Sequence, residues 1–376
     1  MGNVIVLGAG MVGSAMALDL AKQHTVTSAD ISPKALLPLA EQGINTVVAD
    51  LSQPEHIKKL VKGFDLVVGA VPGFLGFAMA QAAIEAGVDL VDISFFEEDP
   101  FGLNKLAQEH GVTAIVDCGV APGLPNLLVG SHHQAMRIHN FEYYVGGLPH
   151  KRQWPYEYKA PFSPIDVLEE YTRPARMVVG GQVITKPALS DAELMDFPPV
   201  GRLEAFNSDG LRTLIRTVDI KNMKEKTLRY PGHIRLMEVL RETGFFGKEA
   251  IDVKGVAIRP IDLTSKLLFP HWQLEPQERE FTILKVIVEG EEEKQKVRYT
   301  YDLYDEYNPE TNTSSMARTT GYTCTAAANL VLSGAFKRPG IYPPELIGAW
   351  PGCLDYVLKY LEERGVQLVA KRTLLG

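Results

Sequence analysis

Val4-Ile5-Val6-Leu7-Gly8-Ala9-Gly10-Met11-Val12-Gly13 decides how the rest of the chain is read. Four apolar residues run straight into a GxGxxG turn, and the turn opens a helical pattern over 12–22. Strand, glycine turn and helix in that order give the motif its meaning. Without a Cβ the backbone can turn sharply at Gly8 and approach a pyrophosphate at Gly10. Gly13 lets helix and strand pack closely, and the first helical N–H groups, around Met11 and Val12, face the phosphates. The alternative is a bland tight turn that needs glycine for its shape alone.

Working outward, short apolar runs recur at 26–28, 46–49, 66–70, 90–93 and 114–116. Helical patterns fill the gaps near 54–62, 74–86 and 100–110. Strands buried on both faces read as such continuous runs, and their alternation with helices predicts a parallel sheet with crossover connections. The expected fold is therefore α/β, a doubly wound Rossmann-type sheet. Asp30 closes the second run about 20 residues beyond Gly10, where a carboxylate accepts hydrogen bonds from the adenosine ribose and repels a 2′-phosphate. No Arg follows it closely, although Lys34 is near, so NAD is expected rather than NADP. A helix cap is the competing role for Asp30, and Ser32 before Pro33 serves that role equally well. Asp50 is read as an adenine-side contact or, equally, as a solvated turn residue. Ala70, Val71 and Pro72 follow the fourth run with small side chains that admit a cofactor. Asp92, Asp117 and Cys118 end the fifth and sixth runs, at the carboxyl edge where ligands of such sheets bind. Asp92 could instead cap a helix, and Cys118 could be a small buried filler.

Composition narrows the rest. Of 376 residues 45% are hydrophobic, which suits a folded globular chain. The balance of 38 basic against 46 acidic residues gives −8, with no basic block. Nucleic acid is therefore not an expected partner. Three scattered cysteines, Cys118, Cys324 and Cys353, support neither a disulfide framework nor a metal site. No secretory leader and no apolar run of about 18 residues is evident, so a reduced, cytoplasmic protein without membrane contact is expected.

Beyond Gly123 the pattern changes. A helix is expected over 124–138 and a strand over 141–145. An aromatic and basic loop follows at 146–164, with Lys151 and Arg152 as possible anion contacts. Residues 279–304 read as a hairpin whose second arm turns Val297, Tyr299, Tyr301 and Leu303 to one face. Strong helical patterns return at 316–336 and 353–364. The expected organisation is a dinucleotide domain over 1–122 and an inserted α+β substrate domain of mixed or antiparallel sheet over 123–315. Helices over 316–376 would return to the first domain. The loop and hairpin are candidate contact surfaces for a homodimer or higher homo-oligomer.

Several strings together resemble the saccharopine dehydrogenase family: Gly8–Gly13, Asp92–Ser94, Cys118–Gly123, Asp209-Gly210-Leu211-Arg212-Thr213, Thr227-Leu228-Arg229-Tyr230-Pro231-Gly232-His233 and Ser315–Gly321. The likeness covers nearly the whole chain and is nearest to its lysine 6-dehydrogenases. It implies NAD-dependent oxidation of the lysine ε-amine to 2-aminoadipate 6-semialdehyde, which cyclises, with release of ammonia and NADH. A small amino acid is then the expected partner. The chemistry asks for a base, since a lysine amine titrates near ~10.4. It also asks for an α-carboxylate anchor, for which the planar Arg fork is suited. Asp92 and Asp117 are candidates for the amine, Cys118 for lining the reaction centre, Arg212 for the anchor, and Tyr230 and His233 for substrate contacts. Arg212 could instead pair structurally with Asp209 or Glu204. The nearest alternative is a saccharopine or carboxynorspermidine dehydrogenase, whose substrates carry further carboxylates. An NAD(H)-binding sensor without turnover is the alternative of another class.

Overall fold

The apolar run Val4–Leu7 lies at the centre of a parallel sheet in the computed structural model, which describes residues 1–275 and 277–376. The chain divides into two compact units. The first holds 1–137, 216–218 and 316–368; the second holds 138–215, 219–315 and 369–376.

In the first unit the strands are β1 (Asn3–Leu7), β2 (Thr25–Asp30), β3 (Asn45–Val48), β4 (Leu66–Gly69), β5 (Asp89–Asp92) and β6 (Thr113–Ile115). The helices between them are α1 (Met11–Leu20), α2 (Pro33–Glu41), α3 (Pro54–Leu60), α4 (Gly73–Glu85) and α5 (Asn104–Glu109). The strand order is Gly340–Tyr342, β6, β5, β4, β1, β2, β3, and every pair whose register is given is parallel. This is the doubly wound fold read from the apolar runs. The direction of winding reverses between β1 and β4, so the loops leaving those two strands flank the switch point where ligands bind in open α/β sheets. Two features escape the apolar runs. Helix α2 is short and contains Pro38. The seventh strand has only three residues and comes more than 220 positions after its neighbour β6.

The late helices Ser315–Leu332 and Cys353–Glu362 attach to α1 through one buried carboxylate. Asp19, only 2% exposed, accepts from Thr325 Oγ1 at 2.7 Å, Tyr360 Oη at 2.7 Å and Arg364 Nε at 2.8 Å. Four partners with Lys22 satisfy a charge that would be costly if buried alone. Helix α6 (Leu124–Ala135) lies in this unit, and the chain's last strand, Leu368–Leu374, lies almost wholly in the other.

The second unit is a nine-stranded mixed sheet. Its early strands are β7 (Arg137–Pro149), β8 (Ala175–Val179), β9 (Gln182–Lys186), β10 (Glu193–Phe197), β11 (Gly201–Asn207) and β12 (Asn222–Arg229). β11 and β12 are antiparallel, whereas β12 and β7 are parallel. The hairpin of Glu280–Glu292 and Gln295–Glu306 has the expected register, with Val297 and Leu303 buried and Tyr299 and Tyr301 half-buried. Helix α7 (Pro164–Thr172) and the helices His233–Thr243 and Pro260–Trp272 contribute Leu168, Met237, Leu268 and Trp272 to its core. Among the described residues, no helix is long and apolar enough to cross a membrane.

Candidate functional site

The glycine turn fits a dinucleotide for reasons that differ at each glycine. A Cβ on Gly8, whose φ is +109°, would stand 2.4 Å from the Ala70 carbonyl oxygen, and one on Gly13 would stand 2.0 Å from the Gly8 carbonyl oxygen. Both positions are closed to any side chain by the fold itself. Gly10 is not: a Cβ there would meet nothing within 4 Å. The space over Gly10 is therefore open, as a pyrophosphate cradle requires. Gly10 is also the N-cap of α1 and offers no capping side chain, so the first helical N–H groups are left to an anion. Met11 is exposed at the start of the helix, while Val12 is buried.

Asp30 does more than end β2. Its Oδ2 accepts from the Ala9 N–H at 2.7 Å, and its Oδ1 accepts from the Ser32 N–H at 2.8 Å. The cap of α2 is Ser32, whose Oγ accepts from the Ala35 N–H. The carboxylate thus braces the glycine turn from the side. Asp50 lies just after β3, where its Oδ1 accepts from both the backbone N–H and the hydroxyl of Ser52. Those hydrogen bonds hold its carboxyl below the usual range, and it behaves as the turn residue that the sequence allowed. Ala70, Val71 and Pro72 form the second loop at the switch point: Ala70 N–H donates to Leu7 O at 2.8 Å, and Pro72 precedes α4.

Asp92 ends β5 and is fully buried. Its Oδ1 accepts from Ser94 Oγ at 2.8 Å, while its Oδ2 has no hydrogen-bond partner among the described residues. Burial pushes this carboxyl up to about 7, against the lowering pull of the Ser94 hydrogen bonds and with a smaller upward push from Asp117. Gly69 makes room for it, since a Cβ there would lie 2.1 Å from Asp92 Oδ1. Gly69 and Ser94 lie in stretches that the sequence singles out, but their contacts with the Asp92 carboxylate are visible only in the structure. Their signal was a run of small residues ending one strand beside an acid ending the next. Asp117 is buried close by with a φ of +54°, a conformation that a non-glycine residue adopts at a cost of roughly 1–3 kcal/mol. The Cys118 N–H donates to Asp92 O at 3.0 Å, joining the two strand ends.

Three candidates have surroundings that the sequence does not reveal. The Cys118 thiol is buried, and desolvation, with Asp117 and Asp92 nearby, raises it far above the thiol range. That favours the protonated thiol, in keeping with a small buried filler beside the two acids. His233 is 3% exposed, with Nε2 bonded to Tyr171 Oη at 2.9 Å and Nδ1 to Tyr156 O at 2.8 Å. Burial and the neighbouring Arg229 push it down to about 3, so it is a neutral core residue with both ring nitrogens occupied. The Tyr230 hydroxyl donates to Pro149 O at 2.9 Å. Both belong to the packing of the second unit around Arg229, which stacks on Tyr158 at 4.3 Å and donates to Tyr171 and Glu170.

Arg212 lies between β11 and Leu214, 6% exposed, with a φ of +49°. Asp209 is gripped by Arg176 through two 2.8 Å hydrogen bonds, and Glu204 accepts from the Gly232 N–H. In the aromatic loop, Arg152 donates to Glu157 at 2.7 Å and stacks over Tyr230 at 4.8 Å. Among the described residues, no group of three His, Cys, Asp or Glu side chains is placed to hold a metal.

Comparison with known proteins agrees with this architecture. Residues 4–115 match the model of the saccharopine dehydrogenase NADP binding domain, and residues 119–366 match that of the saccharopine dehydrogenase C-terminal domain. Mitochondrial alpha-aminoadipic semialdehyde synthase of Mus musculus is 26% identical over 276 residues, 69% of this chain and 29% of that protein. The chain thus spans under a third of the length of that relative. Carboxyaminopropylagmatine dehydrogenase of Synechocystis is 20% identical over 371 residues, 92% of each chain. Apo saccharopine dehydrogenase (L-Glu forming) from Saccharomyces cerevisiae superposes with a TM-score of 0.79 at 21% identity, covering 99% of this chain and 100% of that one. That last likeness concerns the fold.

Proposed function

The chain belongs to the saccharopine dehydrogenase family, and we propose that it oxidises the ε-amine of lysine with NAD. The bound nicotinamide supplies a hydride acceptor. Asp92 takes the proton that the ε-ammonium must lose before the ε-carbon can release hydride. Water then adds to the iminium carbon, ammonia leaves, and the resulting semialdehyde cyclises. Arg212 holds the α-carboxylate, and Asp117 helps hold the amine.

The observation that carries this reading is Asp92: a fully buried carboxyl near 7 with one oxygen unpartnered among the described residues, at the carboxyl edge of the cofactor sheet. Desolvation raises a carboxyl and lowers an amine, so the burial that tunes Asp92 also favours the neutral amine it must produce. We favour lysine over saccharopine because the two further carboxylates of saccharopine call for further cations, and Arg152 is already held by Glu157. The names borne by the relatives favour the second reading, a dehydrogenase of a secondary amine. NADH formation with lysine as the sole amine supports the first. No NADH with lysine, but turnover of saccharopine, rejects it in favour of the second. NADH binding without turnover of either leaves a sensor.

For the cofactor, Asp30 supports NAD although the matching domain model is named for NADP, because a carboxylate at this position repels a 2′-phosphate. Asp30→Ser should lower the ratio of kcat/KM for NAD over NADP at least about tenfold, roughly 1.4 kcal/mol. An unchanged ratio would leave Asp30 only its brace to Ala9.

A further inference from the structure

The Ser208–Thr213 loop of the second unit is held by side chains from three strands. Glu225 on β12 and Tyr143 on β7 are direct neighbours in the parallel register, and both reach Gly210. The Tyr143 hydroxyl donates to Gly210 O at 2.6 Å, and the Gly210 N–H donates to Glu225 Oε2 at 3.0 Å. Ser208 Oγ donates to Glu225 Oε2 at 2.8 Å and contacts Thr227 Oγ1 at 2.6 Å. From β8, Arg176 grips Asp209. The fit is close enough that a Cβ on Gly210 would stand 2.6 Å from the Glu225 carboxyl carbon.

Glu225 is 3% exposed and, among the described residues, makes no ion pair. A buried acid without a cation takes its neutral form and must spend its oxygens on hydrogen bonds, here to one segment of chain. That segment is a loop carrying Arg212 in the left-handed region, a strain that survives only where the surroundings over-determine it. We propose that Glu225 is a positioning residue for substrate binding: through Gly210 and Ser208 it fixes the loop conformation that carries Arg212, without itself touching substrate. This rests on the reading of Arg212 as the carboxylate anchor. Burial keeps the carboxyl near 8, with Glu170 of α7 and Asp209 of the loop adding to the rise. At neutral pH it is therefore largely the neutral acid, and glutamine is its close mimic.

The test uses the full chain with lysine, or with saccharopine should lysine give no NADH, since both end in an α-amino carboxylate. Arg212→Lys, which loses the bidentate fork, should raise the amine KM about tenfold or more. Glu225→Ala should raise the same KM about tenfold, with kcat and the KM for NAD within about twofold of wild type. Glu225→Gln should bring it back to within about threefold. Combined with Arg212→Lys, Glu225→Ala should add less than about twofold, because both act through one contact. Ser208→Ala, a smaller disturbance, should raise KM several-fold if Glu225→Ala does not fold. Wild-type KM in both Glu225→Ala and Ser208→Ala overturns the proposal. So does full additivity with Arg212→Lys, or a parallel loss of kcat and cofactor binding. A wild-type KM in Arg212→Lys alone rejects the anchor and this proposal with it.

Discussion

Asp92→Asn should lower kcat by roughly 10²–10⁴-fold while raising the thermal stability of the protein above neutral pH. The first effect is that of deleting a general base. The second follows from linkage. The folded carboxyl sits at about 7, above its ordinary value of 3.8. Its contribution to stability is therefore complete below the unfolded value and is lost as pH rises through about 7. Beyond that pH the wild type must carry an ionised, fully buried carboxylate, at a cost on the order of a few kcal/mol. Asparagine matches its shape, is neutral throughout, and can still accept from Ser94. The gap in Tm between variant and wild type should open between about pH 4 and 7 and then level off. The wild-type pH–kcat profile should rise through about 7 as Asp92 sheds its proton, and that limb should be missing in the variant. A variant with wild-type kcat removes Asp92 from the chemistry. One that is inactive and also less stable at pH 8 assigns it a packing role instead. Gain of stability with loss of turnover is what a strained functional group predicts.

The first unit was legible because its strands are buried on both faces. Val4–Leu7, Leu66–Gly69 and Leu90–Val91 therefore read as unbroken apolar runs, and Gly8–Gly13 marks where the first of them ends. Gly340–Tyr342 was not legible, because three residues carry no periodicity and their partner lies far back in the chain. Most of the second unit was obscure for a related reason. β9 and β10 are largely exposed, so their sequences lack both the apolar run and a clean alternation. At the site, residue types at strand ends pointed to Asp92 and Asp117. Whether a polar side chain is spare or spent depends on partners that sequence does not reveal. His233 in Tyr-Pro-Gly-His has the look of a functional histidine, yet Tyr171 and Tyr156, 62 and 77 positions away, occupy both its nitrogens. Glu225 shows the reverse: an acid within β12 looks like an ordinary solvent-facing residue until the Ser208–Gly210 loop is seen folded over it.

Gly10→Val should abolish detectable NADH binding, a loss of at least about a hundredfold in affinity or roughly 2.7 kcal/mol, with the Tm of the cofactor-free protein lowered only by the small cost of a poorer N-cap. Gly13→Val should do the opposite in order: it should destabilise the first unit before any question of binding arises. The distinction lies in what each missing side chain leaves room for. At position 13 a Cβ would press to 2.0 Å from the Gly8 carbonyl oxygen, within the backbone itself, and no rotamer relieves that. Backbone displacement of this kind costs about 1–3 kcal/mol or more. At position 10 the φ of −70° suits any residue, and nothing of the chain lies within 4 Å of the added carbon. Folding therefore gives glycine there only its N-cap advantage over valine, and the larger reason must come from a ligand lying against the backbone. Fluorescence titration with NADH and thermal unfolding of the same samples separate the two variants. Wild-type affinity in Gly10→Val would mean that the open space over the turn is not the pyrophosphate site. A large fall in its Tm would show that the fold needs this glycine after all. An intact fold that cannot bind cofactor is the outcome that only a phosphate cradle explains.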